Sequence, residues 1–187
     1  MDIRNVAVVG AGTMGAGIAQ VCAQAGWNTS LYDAFPEGLA RGMERIEAFW
    51  DKGISRGKTT EEQKASWSAN LHPSSDLEEA VRNADLVIEA VPELPDLKAS
   101  VFAAIDAAAP AHAVLGTNTS SLSIAAIAAA TSKPERVIGM HFFNPVPIMA
   151  LLELVRHEQT DEATLQVAHA AAKAMGKTAI TVQDVPG

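Results

Sequence analysis

The chain has 187 residues, 48% hydrophobic and 19% charged, which is the composition of one globular domain and excludes a disordered chain. Its net charge of −8, from 14 Lys and Arg against 22 Asp and Glu, argues against a nucleic-acid-binding protein. With Cys22 as its single cysteine and no run of 18 apolar residues, we expect no disulfide, no metal site, no membrane span and a reducing, cytoplasmic location.

The first 33 residues predict a strand, a helix and a second strand. Residues 6–9 form a short apolar run, which is typical of a strand in the middle of a parallel sheet. Apolar residues then recur at helical spacing over residues 14–25, and Gly26 follows as a C-cap. Residues 29–33 predict the second strand, which ends at Asp33.

The rest of the chain continues this alternation. Pro36 begins a helix to about Lys52, and Gly53, Gly57 and the Thr59-Thr60 pair break it. A capping box at Thr60 begins another helix. Thr160 is predicted to cap the last helix. A helix is also predicted at residues 95–109, and strands at residues 86–88, 113–115, 137–140, 151–155 and 179–182. This order predicts an α/β fold with a mostly parallel sheet.

A glycine-rich turn joins the first strand to the first helix. It reads Gly10-Ala11-Gly12-Thr13-Met14-Gly15, and its position between a strand and a helix is what dinucleotide binding requires. Gly10 permits the tight turn, Gly12 lets a pyrophosphate approach the backbone, and Gly15 lets the helix pack close to the strand. The helix N-terminus at Thr13 and Met14 would then face the phosphates.

Asp33 ends the second strand, 18 residues after Gly15. A carboxylate at this spacing binds the ribose hydroxyls of a dinucleotide and repels a 2′-phosphate. Because Ala34 and Phe35 offer no arginine for such a phosphate, we expect NAD rather than NADP. The alternative is a glycine turn and a strand-end aspartate with structural roles alone.

Three polar segments follow predicted strands, at residues 89–93, 118–122 and 141–147. They therefore lie at the carboxyl edge of the sheet, where open α/β sheets bind ligands. His141 can serve as a base in alcohol oxidation, and Glu153, in an apolar strand, needs a partner that His141 could be. The Ser120 hydroxyl could donate a hydrogen bond to a substrate oxygen. Taken singly, each segment is also compatible with a structural turn.

These segments together resemble the L-3-hydroxyacyl-CoA dehydrogenases, including the bacterial 3-hydroxybutyryl-CoA and 3-hydroxyadipyl-CoA enzymes. The resemblance covers essentially the whole chain and is carried by residues 10–20, 88–93, 118–122 and 141–147. It implies a Rossmann-type, doubly wound sheet with helices on both faces and antiparallel last strands. It also implies NAD-dependent, reversible oxidation of a (3S)-3-hydroxyacyl-CoA to the 3-oxoacyl-CoA in fatty-acid metabolism and β-oxidation.

The resemblance also implies roles for individual residues. The catalytic group would be His141 as base, Glu153 as its partner, Ser120 on the substrate oxygen and Asn144 in support. Glu93 and Lys98 match positions on the nicotinamide side of the cofactor. The complete cofactor set is then Gly10, Gly12, Thr13, Met14, Gly15, Asp33, Glu93, Lys98 and Ser120.

A basic stretch follows the long second helix. Lys52, Arg56 and Lys58 occur without an acid between residues 52 and 60, and relatives contact CoA from this helix. We therefore predict that these three residues, with Ser120, bind the CoA ester. The alternative is an ordinary solvated charged face.

The chain departs from the family pattern in two respects. Ala150 replaces a lysine that many relatives carry, and no consequence of this change is apparent. The family also continues past the equivalent of Gly187 with a helical domain for substrate binding and dimerisation. We therefore expect residues 1–187 to be the NAD-binding domain of a homodimeric enzyme. The alternatives are an inert dinucleotide-binding module and a sugar-acid 3-dehydrogenase of the same superfamily.

Overall fold

A single twisted sheet runs through the computed structural model, which describes residues 1–185. Its eight strands lie in the order β3-β2-β1-β4-β5-β6-β7-β8. They are β1 Asn5–Val9, β2 Asn28–Tyr32, β3 Leu71–Ser74, β4 Leu86–Glu89, β5 Val114–Thr117, β6 Val137–Phe142, β7 Leu151–Arg156 and β8 Thr178–Gln183.

Helices cover both faces of this sheet. They are α1 Thr13–Gln24, α2 Pro36–Ser55, α3 Glu61–Ala69, α4 Leu77–Val81, α5 Pro95–Ala108, α6 Ile124–Ala128 and α7 Glu162–Ala174, with a 3₁₀ turn at Pro134–Arg136. One buried cluster joins α1, α2 and α7 to the sheet, and Cys22 packs within it. A second cluster joins α4, α5 and α6 to the opposite face. The predicted doubly wound arrangement is confirmed.

Strand directions confirm the predicted mixture of parallel and antiparallel pairing. The strands from β3 to β6 pair in parallel, β7 runs antiparallel to β6, and β8 runs parallel to β7. The strand order reverses at β1, which lies between β2 and β4. A crevice therefore opens at the carboxyl ends of the strands near β1, where the glycine turn begins.

Several local predictions were wrong. Asp161, not Thr160, is the N-cap of α7, and its side chain accepts from the backbone N–H of Thr164. The Thr160 hydroxyl instead donates to the carbonyl of Val137. Gly53 does not break α2, which continues to Ser55. A Cβ at Gly53 would lie 2.5 Å from Thr59 Oγ1, so close packing against the next loop favours glycine there.

Three short elements were missed altogether: β3, α4 and α6. Strand β3 contains Pro73, which obscures a strand pattern, and lies at the edge of the sheet. Helices α4 and α6 have five residues each, too few for a helical repeat to show. None of the helices described within residues 1–185 has the length and hydrophobicity that a membrane span requires.

Candidate functional site

A cleft of about 740 Å³ lies at the carboxyl edge of the sheet. The glycine turn, the end of β2 and the segments after β4, β5 and β6 all contribute to its walls, as the sequence predicted. The predicted site residues that line it are Gly10, Gly12, Thr13, Met14, Asp33, Glu93, Ser120, His141 and Asn144.

The glycine turn has the close contacts expected of a dinucleotide site. Gly10 has a φ of +109°, and a Cβ there would lie 2.7 Å from the Ala90 carbonyl oxygen. A Cβ on Gly15 would lie 1.7 Å from the Gly10 carbonyl oxygen. At Gly12, by contrast, an added Cβ meets no atom within 4 Å among the described residues. The backbone at Gly12 is therefore open to a ligand that lies in the cleft.

The N-terminus of α1 points to the same space. Helix α1 begins at Thr13, and no side chain within residues 1–185 caps it at Gly12. The first-turn N–H groups of a helix need acceptors, and the phosphates of a dinucleotide supply them. The turn therefore fits the pyrophosphate of NAD.

Asp33 is fixed at the rim of the cleft by two backbone donors. Its Oδ2 accepts from the N–H of Ala11 at 2.8 Å, and its Oδ1 accepts from the N–H of Phe35 at 2.8 Å. Each carboxylate oxygen can accept a further hydrogen bond, so the group can still receive two ribose hydroxyls.

Two arginines near Asp33 were not predicted from the sequence. Arg41 and Arg45 of α2 line a second groove of about 330 Å³ with Asp33, Gly12 and Thr13. Their separation of four residues on a helix that begins at Pro36 is the signal that could have identified them. Ala34 and Phe35, the neighbours of Asp33 in sequence, give no sign of these arginines.

Behind the cleft wall lies a buried ion pair that the sequence did not reveal. Lys98 Nζ donates to Glu89 Oε2 at 2.6 Å, and both side chains have 0% exposure. Glu89 also accepts from the N–H of Val91 at 2.7 Å and from the hydroxyl of Thr117 at 2.6 Å. Burial raises the pKa of Glu89, although Lys98 and these donors oppose the shift. Lys98, which the resemblance assigns to the nicotinamide side of the cofactor, is fully buried beside the cleft.

Ser120 and Glu93 face one another at the cleft. Glu93 Oε2 accepts from the N–H of Ser120 at 3.2 Å and lies 3.4 Å from its hydroxyl oxygen. Lys98 Nζ approaches the other carboxylate oxygen of Glu93 at 3.7 Å. The predicted substrate-binding hydroxyl is thus held by a predicted cofactor-binding carboxylate.

His141 and Glu153 are direct cross-strand partners. They pair in the antiparallel register of β6 and β7, and His141 Nδ1 lies 3.9 Å from Glu153 Oε1. The imidazole also packs on Phe143, with ring centroids 4.5 Å apart. Since Nδ1 lies on the Glu153 side, Nε2 is the nitrogen left to act on a ligand in the cleft.

Comparison with known proteins agrees with this geometry. Residues 5–185 match the family model described as 3-hydroxyacyl-CoA dehydrogenase, NAD binding domain. The chain belongs to the 3-hydroxyacyl-CoA dehydrogenase NAD-binding domain family. It is similar over its full length to a probable 3-hydroxybutyryl-CoA dehydrogenase of Bacillus subtilis, at 45% identity, and to a 3-hydroxyadipyl-CoA dehydrogenase of Escherichia coli, at 41%.

Solved structures give the same result. The chain superposes over its full length on an (S)-3-hydroxybutyryl-CoA dehydrogenase from Ralstonia eutropha with a TM-score of 0.96 and 43% identity. It spans 65% of the Bacillus subtilis protein, 39% of the Escherichia coli protein and 65% of the Ralstonia eutropha chain. The predicted family, Rossmann-type fold and NAD cofactor are confirmed.

The predicted CoA contacts of this NAD-binding domain lie apart from the cleft. Lys52 is in the last turn of α2, and Arg56 and Lys58 follow that helix; all three are exposed. The structure therefore does not bring them together with His141. Asn144 does line the cleft, next to the histidine segment.

Asn118 of this NAD-binding domain has a role that the sequence did not specify. Its side-chain Oδ1 accepts from the N–H of Phe142 at 3.0 Å, which joins the end of β5 to the end of β6. Its own carbonyl accepts from Lys98 Nζ at 3.1 Å. The polar segments of the cleft are thus adjacent and are also joined by hydrogen bonds.

Proposed function

We propose that this domain carries the cofactor site and the proton-transfer residues of an enzyme that interconverts (3S)-3-hydroxyacyl-CoA and 3-oxoacyl-CoA. The observation that carries the proposal is that His141 lines the cleft that begins at the glycine turn and has Glu153 as its cross-strand partner. The names of its relatives, which include 3-hydroxybutyryl-CoA and 3-hydroxyadipyl-CoA dehydrogenases, support the same substrate class.

Each side chain of the site has its own role in the proposed reaction. Bound NAD⁺ supplies the acceptor for the hydride that leaves C3 of the substrate. His141 Nε2 takes the hydroxyl proton, since histidine is the side chain that most often serves as a general base. Glu153, on the Nδ1 side, orients the ring and stabilises the imidazolium that forms. The Ser120 hydroxyl donates to the substrate oxygen, and Asn144 supports the site.

NADH oxidation by acetoacetyl-CoA, followed at 340 nm, tests this proposal. We expect the chain to catalyse it and His141→Gln to lower the turnover roughly a hundredfold or more, since a general base contributes that much. NADH affinity is measured in parallel by calorimetry and stays unchanged in the variant. Turnover equal to that of the unmodified chain would remove His141 from the mechanism.

A second candidate function is dinucleotide binding without catalysis. It is favoured by the glycine turn and Asp33, which form a dinucleotide site whether or not the domain is catalytic. NADH binding without any acetoacetyl-CoA reduction would support this candidate and oppose catalysis by the chain alone.

The basic residues after α2 extend the proposal to the CoA part of the substrate. Arg56→Ala is expected to weaken acetoacetyl-CoA binding about tenfold, the effect of losing one charge-assisted contact, and to leave NADH binding unchanged. Arg82→Ala, which removes an exposed arginine on α4's side of the sheet, is the matched control. Equal losses for both ligands in Arg56→Ala would contradict a specific CoA contact.

The proposal also includes a cytoplasmic homodimer that acts in fatty-acid oxidation. A buried, unpaired Cys22 is compatible with a reducing compartment. The pathway is supported by 39% identity to a fatty acid oxidation complex subunit alpha of Idiomarina loihiensis, of which the chain spans 26%.

A further inference from the structure

The groove of about 330 Å³ beside α2 adjoins the main cleft at Asp33. The two spaces share part of their lining, namely Gly12, Thr13, Asp33 and Phe35. Asp33 therefore stands at the boundary between the cleft and the groove. A ribose whose hydroxyls bind Asp33 lies at the same boundary, so a charged group attached to that ribose is placed to enter the groove.

Helix α2 lies close to the glycine turn because two of its residues have no side chain. A Cβ on Gly38 would lie 3.3 Å from Asp33 Oδ1, and a Cβ on Gly42 would lie 2.7 Å from the Ala11 carbonyl oxygen. A side chain at Gly42 would push the helix away from the turn. The two glycines therefore bring one stripe of α2 next to the place where a dinucleotide binds.

Arg41 and Arg45 lie on that same stripe. With Gly38 and Gly42 they follow the spacing i, i+3, i+4 and i+7, which places residues on one face of a helix. Both arginines are exposed and line the groove. Neither guanidinium has a carboxylate within 4.0 Å among residues 1–185. Two cations at the groove can therefore bind an anionic ligand.

The charges of the lining indicate which anion fits. Arg41 and Arg45 are opposed by one acid, Asp33, so positive charge is in excess in the groove although the whole chain carries −8. Arginine binds a phosphate through parallel hydrogen bonds of fixed geometry. The 2′-phosphate on the adenosine ribose distinguishes NADP from NAD, and a nearby arginine receives it in Rossmann-type sites. No arginine follows Asp33 directly in the sequence, but α2 supplies two.

We propose that Arg41 and Arg45 receive the 2′-phosphate of NADPH, so that this domain binds NADPH as well as NADH. Asp33 repels that phosphate, which keeps NADH the tighter ligand. Both oxygens of Asp33 already accept backbone N–H groups, from Ala11 and Phe35, and these donors reduce the repulsion. The inference rests on the dinucleotide site and is independent of the proposed acyl-CoA reaction.

Calorimetric titration with NADPH and with NADH tests the proposal, because the two ligands differ only in this phosphate. We expect the unmodified chain to bind both. Arg41→Ala and Arg45→Ala are each expected to lower NADPH affinity roughly tenfold, the effect of losing one charge-assisted contact, and to leave NADH affinity nearly unchanged. Arg82→Ala, which removes an exposed arginine between α4 and β4, is the matched control and changes neither affinity.

Asp33→Asn is the converse variant, because it removes the repulsion and keeps the size of the side chain. NADH binding weakens when the ribose loses an ionised acceptor, whereas NADPH also gains from the lost repulsion. The ratio of NADPH affinity to NADH affinity is therefore expected to rise. NADPH affinity is also expected to fall more steeply than NADH affinity as the salt concentration increases, since salt screens the exposed arginines.

Three results would overturn the proposal. The first is an unmodified chain that binds NADH and not NADPH. The second is an equal loss of both ligands in the arginine variants, since the arginines would then act on the pyrophosphate that both ligands contain. The third comes from free coenzyme A, which also carries a phosphate on its adenosine ribose. Weaker coenzyme A binding with unchanged NADPH binding in Arg41→Ala would assign the groove to coenzyme A.

These titrations separate the proposal from the proposed reaction. No acyl-CoA is turned over in any of them, so an inactive domain gives the same result as an active one. NADH binding, measured in every variant, reports on the dinucleotide site itself. A loss confined to NADPH therefore supports the arginine site whether or not the chain reduces acetoacetyl-CoA.

Discussion

Gly12 and Gly15 lie three residues apart, yet an added methyl group meets opposite surroundings at each. Gly15→Ala is expected to destabilise the domain by about 3 kcal/mol or more, since its Cβ would overlap the Gly10 carbonyl oxygen. Gly12→Ala is expected to leave the melting temperature almost unchanged, because its Cβ meets no described atom within 4 Å. Instead it weakens NADH binding roughly tenfold, as the methyl group occupies the space of the pyrophosphate.

The two alanine variants are controls for each other. Urea unfolding of each variant measures the effect on packing, and NADH calorimetry measures the effect on cofactor binding. A Gly12→Ala variant that binds NADH as tightly as the unmodified chain would show that the pyrophosphate does not approach this backbone.

Residues with a recognisable sequence context were predictable, and those defined by tertiary contact were not. The glycine turn and Asp33 lie at fixed positions relative to the first two strands, so local pattern sufficed. Glu153 was noticed because a lone carboxylate interrupts an apolar strand. Glu89 and Lys98 give no comparable signal, since their partnership depends on how α5 packs beside β4 and β5.

Prediction succeeded for long elements and failed where a neighbouring element determines the structure. The capping box at Thr60 is entirely local, and both of its hydrogen bonds are present. At the start of α7, Thr160 and Asp161 are both good caps by sequence. The Thr160 hydroxyl donates a hydrogen bond to the carbonyl of Val137, and Asp161 is therefore the residue that caps the helix.

The ion pair between Asp106 of α5 and Arg136, in the turn before β6, makes folding stability depend on pH. Burial by itself raises the pKa of Asp106, but hydrogen bonds from Arg136 and Ser132 outweigh it, and the pKa is lowered. A lowered pKa means that this stability is present above the unfolded value of about 3.9 and is lost as the pH falls below it. The pair therefore contributes at pH 7 and not in strong acid.

Asp106→Asn is expected to destabilise the domain by about 2–4 kcal/mol at pH 7, because the largely buried Arg136 loses its counter-ion. The difference in unfolding free energy between this variant and the unmodified chain decreases as the pH falls below about 4. Urea unfolding from pH 7 to pH 3 measures this difference. Asp51→Asn, which breaks a surface pair with Lys64, is the control and changes little. A difference that is constant with pH would refute the assignment.

The topology of the sheet explains why distant motifs meet. Segments after β4, β5 and β6 begin at adjacent strands that run in one direction, so their first residues share one edge. The reversal at β7 then brings Glu153 back beside His141. The parallel part of this arrangement follows from the alternation of strands and helices. The pairing of β6 with β7 follows only from their register, which a single sequence does not specify.

Strand β8 leaves the last edge of the described sheet uncovered, with an apolar side chain on the face that Glu153 shares. Ile180 pairs with Glu153 in register and is 44% exposed, and Ile148, in the loop before β7, is 66% exposed. Open edges and exposed apolar side chains promote association. We therefore expect the chain to self-associate as its concentration rises, and Ile180→Lys to shift it towards monomer.

Sedimentation velocity over a concentration series measures this effect. Thr178→Lys is the matched control, because it adds the same charge to the same exposed face of β8 without removing an apolar group. If the apolar face drives association, Ile180→Lys lowers the dimer fraction and Thr178→Lys lowers it less. Equal effects would assign the association to backbone pairing along the β8 edge, which either lysine disturbs, and a chain that stays monomeric throughout would contradict the prediction.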